Sequence, residues 1–326
     1  MDMEYLLFLQ GIRESWSGTE TVAAIISAIP KSPISAIIPG ILFWCINRRA
    51  GLFLLFLSSF GRMINTLIKD TACVYRPWIL DSDINPAGDA MKKASSYSMP
   101  SGHTQFATAI YGGLAYFYRK KFPVLIIPCI LLILAVAFSR NFLGVHTPQD
   151  VLVAIFETVA VIFLADKLFD KMENDKNFTK TAFIAGIVFC AISAIYIFTK
   201  SYPVDYLNGK IIVTETAAKL DSIDSIGCAL AFLIGAALEN KFVNFSTNVD
   251  FGVKVRRVII GGIVGGAAMV LLLAIKLTGF KFFYEFCKGF LPVISVIFLA
   301  PYAFNYFETK TRFKFKKISK FRTGGV

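Results

Sequence analysis

The sequence predicts an all-α fold, a polytopic membrane helical bundle with about nine transmembrane helices. The chain of 326 residues is 56% apolar, with a mean hydropathy of +0.62, which is well above the usage of ordinary soluble domains. Its apolar residues also fall into blocks close to the roughly 17–25 residues that a helix needs to cross a bilayer. The predicted helices are 33–47, 51–68, 104–118, 123–139, 150–167, 181–199, 224–239, 257–277 and 288–306.

The segment before the first of these helices is expected to lie at the membrane surface. Residues 21–29 are apolar but too few to span a bilayer, and Pro30 interrupts them. An interfacial or re-entrant helix is therefore expected there. The opening residues carry Asp2, Glu4 and Arg13 and lack the basic start and apolar core of a cleavable signal peptide.

The basic residues of the chain cluster between the predicted helices, and they account for the net charge of +12. If each predicted helix crosses once, every basic cluster lies on one side, which the positive-inside rule makes the cytoplasm. This pattern indicates membrane orientation rather than nucleic-acid binding. The C-terminal tail is expected to touch anionic lipid headgroups, and the alternative is an orientation signal with no specific lipid. The clusters are Arg48-Arg49, Arg119 to Lys121, Lys167 to Lys180, Lys254 to Arg257 and the tail from Lys310 to Arg322.

The cysteines argue against a metal centre or a disulfide framework. There are six, most of them inside predicted helices, and no pair has the CxxC or metal-ligand spacing. We expect neither a zinc site nor disulfide bonds.

The two histidines of the chain each lie among residues suited to phosphate chemistry. His103 ends the run Pro-Ser-Gly-His at the start of a predicted helix, where Ser101 can cap the helix and Gly102 lets the backbone approach a ligand. Free N–H groups at a helix start also bind anions. His146 lies four residues before Asp150, whose carboxylate can fix the ring tautomer and leave the other nitrogen as a nucleophile or base.

Three cations accompany the histidines. Lys69 and Arg76 are seven residues apart, about two helical turns, and would therefore share a face. Arg140 follows the fourth predicted helix, and guanidinium groups match phosphate oxygens in geometry. A lysine and an arginine at a membrane interface are also common as snorkelling side chains. However, all these motifs fall on the face opposite the basic loops, so the sequence predicts an extracytoplasmic phosphoryl-transfer site without a metal ion.

The order and spacing of the motifs resembles the type 2 phosphatidic acid phosphatase superfamily. Its integral-membrane members are lipid phosphate phosphatases, and they are related to the vanadium haloperoxidases. The family pattern is Lys-x6-Arg-Pro, then Pro-Ser-Gly-His, then Ser-Arg-x5-His-x3-Asp, and this sequence contains every position of it. The resemblance covers roughly residues 20–170.

The resemblance implies a five- to six-helix phosphatase core and catalysis with no metal or other cofactor. It implies that His146 attacks phosphorus to form a phosphohistidine, oriented by Asp150. His103 would protonate the leaving oxygen before water completes hydrolysis. The phosphate-binding groups that it implies are Lys69, Arg76, Arg140 and the backbone at Ser101 and Gly102.

The predicted function is the metal-independent hydrolysis of a lipid phosphate or lipid pyrophosphate at the extracytoplasmic face of a bacterial plasma membrane. Phosphatidic acid, phosphatidylglycerophosphate, a polyprenyl diphosphate and a sphingoid-base phosphate all fit as substrates. A lipid-linked phosphotransferase using the same phosphoenzyme is the alternative. A third reading makes the C-terminal half a lipid carrier or partner-binding module, which the intact histidine motifs argue against.

The chain divides into a membrane phosphatase core domain at 1–175 and a C-terminal part at 176–326, which adds transmembrane helices and the basic cytoplasmic tail. Two charges inside predicted helices, Arg62 and Glu157, lie about 10 Å below the motifs on the same helix faces. Because buried charges usually find partners, we hypothesise that these two form an ion pair beneath the site. In the alternative, one faces the substrate cleft and the other pairs elsewhere.

Two loops on the side of the motifs are candidates for covering the site. The loop 78–99 is long for a connector and is expected to overhang the site. The stretch 210–216 has a strand-like pattern and is expected to lie over the same cleft.

Overall fold

The computed structural model describes residues 2–91, 96–207 and 209–309, and these are almost entirely helical. The prediction of an all-α membrane bundle is confirmed. The basic tail from Lys310 to Arg322, which we expect at the lipid surface, lies outside the described residues.

The N-terminal half contains the predicted motifs. Its helices are α1 (Asp2–Ser15), α2 (Thr19–Ala28), α3 (Pro33–Ile41), α4 (Arg48–Ala72), α5 (Pro77–Leu80), α6 (Gly102–Ala107), α7 (Gly113–Tyr118), α8 (Ile126–Phe142) and α9 (Pro148–Asn174). A π-helical segment, Thr108–Gly112, joins α6 to α7.

The C-terminal half is built from four long helices and one small hairpin. The helices are α10 (Lys176–Thr199), α11 (Glu215–Phe242), α12 (Phe251–Leu277) and α13 (Lys281–Ile294), and the antiparallel strands are β1 (Tyr206–Leu207) and β2 (Lys210–Ile211).

Within the described residues, six helical stretches are long and apolar enough to cross a membrane. These six are Arg48–Leu80, Pro123–Phe142, Lys176–Thr199, Glu215–Phe242, Phe251–Leu277 and Lys281–Thr309. The three other predicted spans are helical too, but α3 is short, α6 and α7 are divided by the π segment, and α9 carries Asp150 and Glu157. Asp150 is buried and Glu157 bonds Asn65 of α4, so these polar residues of α9 face other helices rather than lipid.

Helix α4 lies at the centre of the bundle and packs on both halves. On one side Leu57 belongs to the apolar cluster formed with Ile162 of α9. On the other side Met63 belongs to the cluster formed with Phe232 of α11. The helix begins at Asn47, whose side chain accepts a hydrogen bond from the backbone of Ala50 at 2.9 Å. The two sequence halves are therefore joined through α4.

The basic loops meet at one end of the bundle, where they are tied together by ion pairs. These pairs are Arg48–Glu239, Arg49–Asp170, Arg49–Glu173, Arg119–Asp166 and Arg257–Glu308. The predicted phosphate motifs lie at the other end, at the top of α4, the starts of α6 and α9 and the end of α8. This separation matches the one deduced from the sequence.

The strand-like stretch 210–216 forms a strand only at its first two residues. The strand is short because Thr214 caps α11, accepting a hydrogen bond from the backbone of Ala217 at 3.2 Å. Tyr202 and Val213, on either side of the hairpin, pack with the buried Tyr97 of the loop before α6. The two candidate covering loops are therefore in contact with each other.

Candidate active site

The start of α9 holds His146 in place. Thr147 and Asp150 form a capping box, in which the Thr147 hydroxyl accepts from the Asp150 backbone at 3.3 Å and the Asp150 carboxylate accepts from the Thr147 backbone at 2.8 Å. Pro148 occupies the first helical position. Asn141 also donates to the carbonyl of His146 at 2.8 Å. The residue before the helix therefore has little freedom to move.

The imidazole of His146 is almost completely buried against Asp150, and the two residues are 2% and 1% exposed. Its Nδ1 lies 3.2 Å from Asp150 Oδ2. With a proton on Nδ1, the carboxylate is the acceptor and Nε2 keeps its lone pair.

Ser98 is a part of this arrangement that the sequence analysis missed. Its hydroxyl donates to Asp150 Oδ2 at 2.5 Å and lies 3.3 Å from Nδ1 of His146. Its backbone N–H donates to the carbonyl of Val74 at 2.7 Å, which fixes the loop. The only signal in the sequence was its position two residues before the run Pro-Ser-Gly-His, and a single serine in a loop carries little information.

Arg76 lies against the imidazole of His146, with its Nη1 3.5 Å from Nδ1 of the ring. Its Nη1 is 3.0 Å from Nε2 of His146 and donates to the carbonyl of Val145 at 3.0 Å. Its Nε donates to the carbonyl of Ser96 at 3.0 Å. A buried guanidinium is thus fixed next to the free ring nitrogen.

Arg140, at the end of α8, is also buried, but it makes fewer hydrogen bonds than Arg76 does. Its Nη1 donates to the hydroxyl of Ser27 on α2 at 2.6 Å. Its Nε is buried and has no hydrogen-bond partner among the described residues. A buried charged N–H without an acceptor is unfavourable, and a bound anion would satisfy it.

The start of α6 differs in one respect from the expectation. Ser101 occupies the N-cap position, but its side chain makes no capping bond, and its backbone N–H donates to the carbonyl of Asp150 at 3.0 Å. Ser101 therefore ties α6 to α9. At Gly102 an added Cβ would meet only Asn65 Oδ1, at 4.0 Å, so the space beside this backbone is open.

Lys69, near the end of α4, has a partner from the C-terminal half of the chain. Its ammonium lies 3.5 Å from the carboxylate of Asp221 on α11. Next to it, Ser222 donates to the carboxylate of Asp70 at 2.5 Å. Nothing in the sequence analysis placed α11 at the phosphate site.

The hypothesis of an ion pair between Arg62 and Glu157 is wrong. Arg62 pairs instead with Asp224 of α11, and Glu157 accepts a hydrogen bond from Asn65 at 2.5 Å. Arg62 faces α11 and Glu157 faces a neutral amide of α4, so the two side chains have separate partners, and Oε2 of Glu157 has none among the described residues. Both still lie on the helices expected to carry them, α4 and α9.

Lys31 is a further cation at the site that the sequence analysis missed. The residue as a whole is exposed, but burial of its ammonium lowers the pKa to about 7. The positive charges of Arg62, Lys69 and Arg140 lower this pKa further, whereas Asp221 raises it.

The electrostatic field of these cations also acts on both histidines. Burial, followed by the charge of Lys31, holds the pKa of His103 well below its usual value. Burial, followed by the charges of Arg76 and Arg140, does the same for His146. Both rings are therefore neutral near pH 7 while no anion is bound.

The described residues contain no group of three His, Cys, Asp or Glu side chains arranged to hold a metal ion. The predicted site residues instead converge on one place: His146, His103, Asp150, Lys69, Arg76, Arg140, Ser101 and Gly102. The arrangement is an oriented imidazole surrounded by cations, which suits the transfer of a phosphoryl group.

Comparison with known proteins agrees with this description. The model of the PAP2 superfamily matches residues 50–173, and that of the PAP2 superfamily phosphatase, transmembrane extension, matches residues 223–312. The chain is 31% identical over 147 residues to phosphatidylglycerophosphatase B of Bacillus subtilis (strain 168), covering 43% of this chain and 67% of that protein. A crystal structure of a transmembrane PAP2 type phosphatidylglycerolphosphate phosphatase from Bacillus subtilis is 26% identical, with a TM-score of 0.44, covering 52% of this chain and 85% of that one.

The chain belongs to the PAP2 superfamily. It is an integral-membrane phosphatase, and the resemblance drawn from the motifs is confirmed.

Proposed function

We propose that this protein hydrolyses a lipid phosphate at the extracytoplasmic face of a bacterial plasma membrane, through a phosphohistidine on His146. The observation that carries the proposal is the position of the His146 ring. Its Nδ1 lies 3.2 Å from the carboxylate of Asp150, and its Nε2 lies 3.0 Å from Nη1 of Arg76. The ring is thus oriented by a carboxylate and lies against a cation that can bind phosphate.

In the first step, the phosphate group enters between Lys69, Arg76 and Arg140, and the unsatisfied Nε of Arg140 gains an acceptor. Arg76 turns its Nη1 from the ring of His146 to a phosphate oxygen, which leaves Nε2 accessible to phosphorus. The phosphate also lies over the open backbone at Gly102, where no side chain blocks its approach.

In the second step, Nε2 of His146 forms a bond to phosphorus as the bond from phosphorus to the lipid oxygen breaks. The electron pair leaves with that oxygen, which takes a proton from His103. Asp150 stabilises the positive charge that develops on the imidazole. Water then attacks phosphorus and gives its proton to His103, and the electron pair of the P–N bond returns to Nε2.

His103 must carry a proton for this role, although the empty site holds the pKa of its ring well below the usual value. The negative charge of a bound phosphate opposes the surrounding cations and raises that pKa again. Substrate binding therefore prepares the acid, which would otherwise be neutral at pH 7.

The substrate class follows from the position of the site and from the relatives. The site lies at the end of a membrane bundle, where a lipid headgroup resides, and the matched Bacillus subtilis protein is named for phosphatidylglycerophosphate. Phosphatidylglycerophosphate is accordingly the first substrate to test. The basic loops at the other end of the bundle support an orientation in which the site faces outward.

The test is release of inorganic phosphate by the purified protein from a panel of lipid phosphates, with EDTA present. We expect activity on at least one lipid, a loss of at least about a thousandfold in His146→Ala, and an acid-labile phosphoenzyme in the wild type alone. Loss of activity in EDTA, or equal activity in His146→Ala, would contradict the mechanism. Transfer of the group to an added alcohol in place of water would favour a phosphotransferase.

A further inference from the structure

The C-terminal half of the chain places a carboxylate inside the phosphate site. Asp221 of α11 lies 3.5 Å from the ammonium of Lys69. The helix is held in register there by two more contacts, the hydrogen bond from Ser222 to Asp70 and the ion pair of Asp224 with Arg62. Asp221 is therefore fixed by the packing of α11 on α4.

The two aspartates of α11 differ in how many cations they contact. Asp224 is buried and contacts both Arg62 and Lys288, the latter at 3.6 Å. Asp221 has the lysine as its ion-pair partner, and its side chain is 36% exposed. Part of this carboxylate is consequently accessible to a molecule that approaches Lys69.

The charged side chains around Lys69 and Asp221 determine how much negative charge a bound ligand can carry. The cations whose fields meet there are Lys31, Arg62, Lys69, Arg76 and Arg140. Asp224 offsets Arg62, and Asp150 lies against the histidine that Arg76 contacts. The remaining cations are Lys31, Lys69 and Arg140. Together they can neutralise a phosphomonoester dianion while Asp221 stays ionised. A second phosphate group beside Lys69 would instead lie close to that carboxylate.

We propose that Asp221 is a specificity-determining residue, which makes the site accept a lipid phosphomonoester and disfavour a lipid diphosphate. The inference rests on the proposed function and narrows its substrate class. Two negative charges about 7 Å apart, at an effective dielectric constant near 20, repel enough to change relative affinity by more than tenfold. Lys69, the cation beside which the additional phosphate would lie, is already paired with Asp221.

The experiment compares kcat/KM for phosphatidic acid and for a polyprenyl diphosphate in the wild type and in Asp221→Asn. The asparagine keeps the shape and a hydrogen-bonding oxygen but removes the charge. We expect the ratio of kcat/KM for diphosphate over monophosphate to rise about tenfold or more in Asp221→Asn, and to stay near the wild-type value in Asp221→Glu. Asp221→Ser replaces the asparagine variant if that variant does not fold.

The matched control is Glu215→Gln, which removes the same charge from the exposed first turn of the same helix, where Glu215 pairs with Lys219. Its ratio should not change. An unchanged ratio in Asp221→Asn, or an equal loss on both lipids, would show that Asp221 only holds Lys69 in place, and the inference would be overturned. An equal shift in Glu215→Gln would overturn it as well.

A second measurement needs no turnover. Thermal stabilisation of the detergent-purified protein by inorganic phosphate and by methylenediphosphonate, which cannot be hydrolysed, gives the relative affinity for one and two phosphate groups. We expect Asp221→Asn to favour methylenediphosphonate by about tenfold relative to wild type, and an unchanged preference would refute the inference. If the wild type released no phosphate from any lipid, the proposed function would fail, and this measurement would still decide the role of Asp221.

Discussion

At the scale of single residues, the two histidines of the site are held in different ways. His146 precedes a capped helix and is buried against a carboxylate and a guanidinium. His103 lies in the first turn of α6 and its main electrostatic neighbour is Lys31. The first arrangement suits a nucleophile that must keep its orientation, and the second suits an acid whose charge depends on the ligand.

The low pKa values of the two histidines predict how the stability of the protein depends on pH. Above the ordinary imidazole value of 6.5, the rings are neutral in both the folded and the unfolded chain. Below it, the unfolded chain takes up protons that the folded chain cannot, so the free energy of unfolding decreases as pH falls. We expect the melting temperature of the ligand-free protein to decrease from about pH 7.5 to about pH 5.5.

Because the chain has only two histidines, the variant His103→Asn/His146→Asn is a complete control for this effect. Its melting temperature should depend less on pH over the same range. An equal dependence in the double variant would assign the effect to other groups and contradict the prediction.

Ser98 is predicted to support catalysis by holding Asp150 against His146. Ser98→Ala removes a buried hydrogen bond to a carboxylate, a loss of about 1–3 kcal/mol, so we expect kcat to fall roughly 5- to 150-fold with little change in KM. Steady-state kinetics on the lipid found in the substrate panel provide the measurement. Ser96→Ala is the control, since that hydroxyl is buried in the same loop but bonds no described residue. Equal effects of the two changes would argue against the role of Ser98.

At the scale of elements, α11 is the helix that links the two halves. It packs on α4 through Asp221, Ser222 and Asp224, and it packs closely on α13 through glycines. An added Cβ at Gly227 would lie 2.4 Å from the carbonyl oxygen of Phe286. Small residues at such positions let helix backbones approach closely inside a membrane.

This contact predicts that Gly227→Ala destabilises the protein. The new methyl group meets backbone rather than a movable side chain, so we expect a loss of about 1–3 kcal/mol, as for other overpacked sites. The melting temperature in detergent is the measurement. Gly262→Ala on α12 is the control, because a Cβ there meets nothing within 4 Å. A Gly227→Ala protein as stable as the Gly262→Ala protein would show that α11 and α13 can separate without cost.

At the scale of the whole molecule, the two ends of the helical bundle differ in charge and in role. One end carries the basic loops with their acidic partners, and the other end carries the phosphate site. Between the two ends lie apolar cores centred on α4. This arrangement supports a site at the membrane surface that faces the side opposite the cytoplasm.

The orientation can be tested by cysteine labelling in intact cells. Ser82, which follows α5 at the site end, and Lys120, in the turn after α7 at the basic end, are both exposed. We expect Ser82→Cys to react with a membrane-impermeant maleimide and Lys120→Cys to react only after the cells are opened. The reverse pattern would place the site in the cytoplasm. The native cysteines are free, and the wild-type chain measures their background.

The helical bundle, the grouping of the basic loops and the family motif were all predictable from sequence. Each depends on local information, namely hydropathy over one helix length or spacing within one motif. The geometry of Ser98 was not predictable, because a serine in a loop has no periodic pattern to reveal its partner. Lys31 was missed for a similar reason, since its neighbours come from helices that are distant in sequence.

The sequence by itself determined the class of protein, because the family motif consists of residue types at short, fixed spacings. The tertiary structure decided which charges pair. Arg62 forms its ion pair with Asp224, 162 residues away, and not with Glu157. Asp221 forms an ion pair with Lys69. The physical reason is that a buried charge is stabilised by whichever opposite charge the helix packing places beside it. That packing depends on how α11 fits against α4, which neither helix encodes alone.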